Sequence, residues 1–215
     1  MIVTAVERKP RRRRVHVFVD GRFALALGRE LAAEHDVRPG RTLTAAELSA
    51  LAEAEASRGA MESALRLLSY RPRSEQELRD RLTRKGFEPA VADKTLGRLR
   101  ELGYLDDDAF ARLWTETQQA FRPKSRWLLT AELRRRGVSQ DTAEEATAGL
   151  SDEEAAYQAA QRRLRALHGL EYQRFREKLG GFLNRRGFSY EIARQTVDRC
   201  WAERGEAPDE DEDSK

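Results

Sequence analysis

The chain has 215 residues, 36% of them charged and 40% hydrophobic, with a net charge of +3. No apolar run approaches the roughly 18 residues of a membrane span. Met1-Ile2-Val3 opens no signal-peptide layout, and the single cysteine, Cys200, has no partner for an internal disulfide, so a cytoplasmic protein is expected. The charge is unevenly spread: residues 206–215 hold six acids and one lysine, a net of −5, which leaves +8 on residues 1–205. A basic body with an acidic tail points to an anionic partner for which the tail competes. The tail's composition predicts disorder.

The N-terminal segment differs in kind from the rest. Residues 15–19 and 23–27 alternate apolar side chains around Asp20-Gly21, the strongest short hairpin signal. A two-residue loop would pair Phe18 with Phe23 and His16 with Leu25, and residues 2–6 can add a third strand. Lys9-Pro10-Arg11-Arg12-Arg13-Arg14 makes a basic loop between them. A short helix over 28–35 follows, then a turn at Val37-Arg38-Pro39-Gly40. Thr44 and Glu47 then box the start of a helix to about Ser57, with 53–59 as a helical linker.

The remainder is a threefold repeat. Gly86, Gly137 and Gly187 are separated by 51 and 50 residues, and Leu78, Leu129 and Leu179 keep that register, as do Leu82, Leu133 and Leu183. Repetition at a fixed period implies tandem modules that stack to bury a shared core. In the first unit Ser74 and Glu77 form a capping box, and Gly86 sits where a helix end needs a left-handed residue. Pro89 opens the next helix, whose stripe is Val91, Leu96, Leu99 and Leu102. Residues 60–70 supply a third helix, making a three-helix module with a helix-turn-helix shape. The second unit opens at Asp107 as N-cap, with Phe110, Leu113, Trp114 and Phe121 along its first helix. Arg122-Pro123-Lys124-Ser125 there repeats Arg71-Pro72-Arg73-Ser74. The third opens at Ser151, with Tyr157, Ala160, Leu164 and Leu167 inward, and Ser189 caps its last helix. In the second unit Thr142 and Ala146 stand where larger apolar residues are expected.

Catalytic chemistry finds no support. His16, His35 and His168 lack metal-ligand spacing, and there is no phosphate loop. Cys200 reads as a packed core thiol, and Asp106-Asp107-Asp108 reads as acids favouring a helix N-terminus. What recurs is cationic. Bases precede each turn glycine: Arg84-Lys85, Arg134-Arg135-Arg136 and Arg185-Arg186. The helix dipole accounts for one base per helix end, not for two or three at every site. With Arg71, Arg73, Arg122, Lys124 and Arg126 of the Arg-Pro junctions, they are the candidate contacts for a polyanion or an acidic groove. The aromatics Phe87, Tyr104, Trp114, Phe121, Phe188 and Trp201 fit core positions by their spacing, and Trp127 is the one expected at the surface.

The residues that carry a family resemblance are Leu65-x-x-Leu68-x-Tyr70-x-x-Arg73-Ser74-x-x-Glu77-Leu78-x-x-x-Leu82, followed by Lys85-Gly86-Phe87. Leu102-Gly103-Tyr104-Leu105-Asp106-Asp107-x-x-Phe110-Ala111 and Lys178-x-x-x-Phe182-Leu183-x-x-Arg186-Gly187-Phe188 complete the set. The pattern resembles the RecX family, bacterial regulators of the RecA recombinase, over residues 60–203. The resemblance implies a mainly α fold of three tandem three-helix repeats in an elongated, curved array, here preceded by a small β-hairpin/α segment. It also implies a non-enzymatic regulator that needs no cofactor. Such a protein binds RecA and its DNA filament, blocks filament extension, ATP hydrolysis and strand exchange, and binds single- or double-stranded DNA weakly. The expected divisions are 1–58 for the hairpin and helices, 59–105, 106–150 and 151–204 for the repeats, and 205–215 for the acidic tail. A monomer is expected. The rival reading is a helix-turn-helix regulator acting directly on DNA.

Overall fold

A computed structural model describes residues 1–8 and 14–204. Residues 9–13 of the basic loop and the acidic tail at 205–215 therefore lie outside the described residues. The chain divides into two compact units, Met1–Pro72 with Leu78–Leu105, and Arg73–Glu77 with Asp106–Lys215.

In the first unit, β1 (Val3–Arg8), β2 (Arg14–Val19) and β3 (Arg22–Gly28) form an antiparallel sheet in that order. Phe18 pairs with Phe23 as the Asp-Gly turn dictates. His16, however, pairs with Ala26 rather than Leu25, because the register shifts by one residue after Val17. Without that bulge Leu25 and Leu27 would share the face of His16. With it they stand opposite Val17 and Val15, on the buried side, so burial of the leucines wins over ladder regularity. Helix α1 (Arg29–Glu34) and the Thr44–Glu47 capping box fall where the sequence places them. The two helices read on either side of the linker run together as one, α2 (Ala45–Tyr70), 26 residues long. Its N-terminal half meets the sheet, where Glu55 accepts from Gly28 N at 2.7 Å and pairs with Arg14 at 2.6 Å. Its C-terminal half is the first helix of repeat 1.

The repeats then follow: α3 (Glu75–Arg84) and α4 (Pro89–Glu101); α5 (Asp107–Phe121), α6 (Arg126–Arg135) and α7 (Gln140–Thr147); α8 (Asp152–Leu164), α9 (Tyr172–Arg185) and α10 (Tyr190–Ala202). The paired leucines 78 and 82, 129 and 133, and 179 and 183 are all fully buried. Four-residue spacing puts each pair on one helical face. Each second helix ends alike: the turn glycine's N–H bonds three residues back, and the next residue's N–H bonds Leu82, Leu133 or Leu183. This is the Schellman pattern, with φ of 90°, 83° and 84° at Gly86, Gly137 and Gly187. Repeat 2 has the leanest core. Thr142 there spends its hydroxyl on Asp108 at 2.9 Å, and buried Thr147 bonds Ala143 O and the Thr130 hydroxyl. In repeat 3 the alanines 155, 156, 159 and 160 give α8 a flat inner face against Phe175, Val197 and Trp201.

Four side chains expected inward face water. Leu102 is 48% exposed, Tyr104 60%, Leu113 46% and Phe121 74%. The buried set on α5 is Phe110, Ala111 and Thr115, which leaves Leu113 at the stripe's edge and Phe121 a turn beyond the core. Tyr104 follows the Gly103 turn, where its N–H closes on Leu99 O and its ring is carried outward. The N-cap of α5 is Asp106, which accepts from Ala109 N at 2.9 Å, and Asp107 is released for another role described below.

A side chain at Gly86 would meet nothing within 4 Å, whereas at Gly137 it would stand 2.1 Å from Gln76 Cβ. Gly86→Ala should therefore cost about 1–2 kcal/mol from left-handed strain alone. Gly137→Ala should cost clearly more, because the clashing atom lies at the root of its side chain. Urea titrations check this, and equal losses would contradict it.

Candidate polyanion-binding surface

The candidate cations divide by position. The residue immediately before each turn glycine is held by the protein itself. Lys85 donates to Ser63 Oγ. Arg136 is half-buried, lies 3.7 Å over the Trp114 ring, donates to Glu132 O at 3.1 Å and stands 3.8 Å from the Glu77 carboxylate. Arg186 is half-buried over Phe182 and donates to Pro123 O at 2.8 Å. Burial, and then the charges of Arg122 and Arg162, lower its pKa. An arginine whose stem packs on an aromatic ring contributes through contact as well as charge.

The residue two positions before the glycine behaves differently. Arg84, Arg135 and Arg185 are exposed in all three repeats, and Arg134 joins them in the second. Among the described residues Arg84 makes only a backbone contact on its own helix, to Asp80 O at 3.1 Å. Arg134, Arg135 and Arg185 have no ion-pair partner among the described residues. Helical geometry produces this split: one step along a helix turns about 100°, so when the last residue folds back onto the body its neighbour points away.

The junction cations also separate. Lys124 is paired with Glu132 at 2.6 Å, with both side chains under 20% exposed. Arg73 is half-buried, whereas Arg71, Arg122 and Arg126 are exposed. Arg71 donates to Pro72 O at 2.9 Å. Arg126 uses its backbone N–H, which donates to Asp152 Oδ1 at 2.7 Å.

That last bond belongs to a repeated joint. At the start of α6, Ser125 N donates to Arg186 O at 3.0 Å and Arg126 N donates to Asp152. At the start of α3, Ser74 Oγ donates to Arg136 O and Glu75 N donates to Asp107 Oδ1 at 2.9 Å. In both joints the free carbonyl before a turn glycine meets the serine of an Arg-Pro junction. The aspartate that follows an N-cap then satisfies an orphan amide of the second helix. Burial pushes the Asp107 carboxyl up, against the opposing pull of the Glu75 N–H. Sequence reading missed this role for Asp107 and Asp152, and also missed Arg162, which forks onto the Ala120 and Phe121 carbonyls at the end of α5. Their partners lie 26 to 42 residues away, and no local pattern marks them.

Cys200 is fully buried, and burial raises its thiol to about 11, so it is protonated and inaccessible as a nucleophile. No described helix is long and apolar enough to cross a membrane.

Three tandem three-helix modules, jointed alike and showing a row of exposed arginines, define a helical-repeat protein. Three RecX domains match in order: the first three-helix domain over residues 60–99, the second over 106–146 and the third over 151–197. The chain belongs to the RecX family. Regulatory protein RecX of Thermobifida fusca (strain YX) is 40% identical over 136 residues, covering 62% of this chain and 74% of that one. The Lactobacillus johnsonii protein of the same name is 27% identical over 205 residues, covering 92% of this chain and 74% of the other. A crystal structure of regulatory protein RecX superposes with a TM-score of 0.63 at 22% identity, covering 92% and 98% of the two chains. That of RecX from Lactobacillus salivarius gives 0.58 at 21%, covering 68% and 97%.

Arg136→Gln should lower stability by about 1–2 kcal/mol through loss of the stacked guanidinium. Arg135→Gln should change it by less than about 0.5 kcal/mol. Thermal melts of the two single variants separate them, and equal effects would contradict the division.

Proposed function

We propose that the chain binds the RecA recombinase on its DNA filament and restrains filament extension, ATP hydrolysis and strand exchange, acting as a monomer. The observation that carries this reading is the exposed arginine two positions before the turn glycine in every repeat: Arg84, Arg135 and Arg185. Lys85, Arg136 and Arg186 already supply one cation per helix end, which is all that the dipole explains. Exposed arginines repeated at module spacing suit a partner that is itself repetitive and acidic, as a nucleoprotein filament is. The regulatory name shared by the relatives, and the family resemblance of the motifs, support the same reading.

Sequence-specific reading of duplex DNA by every module is less well supported. Such readers place the helix after the turn in the major groove, and in repeat 2 that helix, α7, carries Asp141, Glu144 and Glu145.

The test is the rate of RecA ATP hydrolysis on single-stranded DNA. The wild-type chain should slow it. A variant with Arg84, Arg135 and Arg185 all changed to Gln should melt as wild type and inhibit less. The salt dependence of its filament binding should be shallower, by about one unit of log–log slope for each phosphate no longer neutralised. Normal melting with normal inhibition would refute the assignment.

A further inference from the structure

In repeats 2 and 3 a groove opens where the second and third helices meet. In repeat 2 it encloses about 550 Å³, and its α6 wall is Arg126, Trp127, Thr130, Ala131 and Arg134. In repeat 3 it encloses about 540 Å³ and is lined by Arg176, Gly180, Gly181, Asn184, Tyr190 and Arg194. The repeat register makes these the same place: 50 residues separate Arg126 from Arg176, Thr130 from Gly180, and Ala131 from Gly181. Repeat 1 differs at that register. Arg79 stands where Thr130 does and Asp93 where Glu144 does, and the two are bridged at 2.8 Å. The ion pair spans the site that is open in the other two repeats.

Three features suit this groove to a ligand. Its floor is small in both repeats. In repeat 3 the floor is a glycine pair inside a helix, which helix propensity disfavours. A side chain at Gly180 would meet nothing within 4 Å, so packing does not require glycine there, and the bare backbone adds depth. Each groove also carries a large aromatic ring left in water, with Trp127 70% and Tyr190 66% exposed. Finally, each carries two arginines. The Arg126 and Arg134 guanidiniums have no polar partner among the described residues; in repeat 3 Arg194 has a loose pair with Glu191 at 3.6 Å, and Arg176 is hydrogen-bonded to the Tyr190 hydroxyl of the same groove. Of the wall acids, Asp152 is committed to Arg126 N and Glu144 to Gln140, while Glu177 sits exposed in repeat 3.

We propose that the two grooves are subsites for single-stranded nucleic acid, with the ring supplied by α6 in repeat 2 (Trp127) and by α10 in repeat 3 (Tyr190). Each stacks an unpaired base on its exposed ring and holds the flanking phosphates with its arginines. Ring stacking needs a base free of its duplex, and the volumes suit a ligand of nucleotide size. A docked apolar helix would find Thr, Ala, Gly and Arg here rather than a hydrophobic wall to cover. The assignment does not rest on the recombinase reading, because it is tested with oligonucleotide alone.

Trp127 is the most exposed of the three tryptophans, with Trp114 half-buried and Trp201 buried. Titration of the full chain with an oligo-dT strand should quench its emission. Trp127→Leu should lower affinity about tenfold, within the range for loss of one stacked base, and Trp127→Phe should restore most of it. Filling both grooves, with Thr130→Leu and Gly180→Leu together, should keep or raise the melting temperature and lower affinity at least as far. If that double variant fails to fold, the Trp127 pair still decides, since the ring lies at the surface. Affinities of Trp127→Leu and of a folded filled variant within twofold of wild type would overturn the proposal. So would unchanged oligonucleotide binding with loss of recombinase inhibition, which would assign the grooves to a protein segment.

Discussion

One carbonyl governs the joint between modules. A helix that ends on a glycine turn leaves its last carbonyls without intrahelical partners, and a helix that begins on a serine leaves its first amides free. The two deficits are matched. Arg186 O accepts from Ser125 N, Arg136 O accepts from Ser74 Oγ, and the aspartate that opens the next repeat's first helix closes the next amide in each case. Glycine is required at the turn for two reasons at once: φ is positive, and the junction helix lies against it. A side chain at Gly187 would stand 2.5 Å from Ser125 Oγ and 2.7 Å from Leu128 Cβ. Gly86 likewise has a positive φ but no such neighbour within 4 Å.

The division among the cations follows from this joint. The residue that presents its carbonyl is held in place, and its side chain packs beside the joint, Arg136 on Trp114 and Arg186 over Phe182. The preceding residue, a third of a turn away, is carried out to water. A cluster that looks uniform in sequence therefore contains one structural cation and one or two displayed ones. In the junction before α6, Lys124 is likewise spent on Glu132 while Arg122 and Arg126 stay exposed.

Much of the architecture was legible because it rests on local rules repeated three times. The paired leucines, the left-handed glycines and the serine caps at 125, 139, 151 and 189 are short-range statements about helix faces and ends. The hairpin turn was legible for the same reason, but its bulge was not: Asp-Gly sets the first pairs, and only the sheet's packing decides which face takes Leu25. Nor could periodicity show that the core stops before Phe121, or that Asp107 reaches back to Glu75 and leaves capping to Asp106. For the site, the cationic runs were visible, but their separation into held and displayed members depends on contacts across 62 or 63 residues.

On our proposal the arginine before the turn glycine packs beside the joint while the one before it meets the partner. Modification by an arginine-selective dicarbonyl reagent, read residue by residue by mass spectrometry with and without RecA–DNA filament, tests both halves on the unaltered protein. In the free protein Arg84, Arg135 and Arg185 should react quickly and Arg136 and Arg186 slowly, and the filament should protect the first set. Equal reactivity of Arg135 and Arg136 in the free protein, or no protection of Arg84, Arg135 and Arg185 on the filament, would contradict the account.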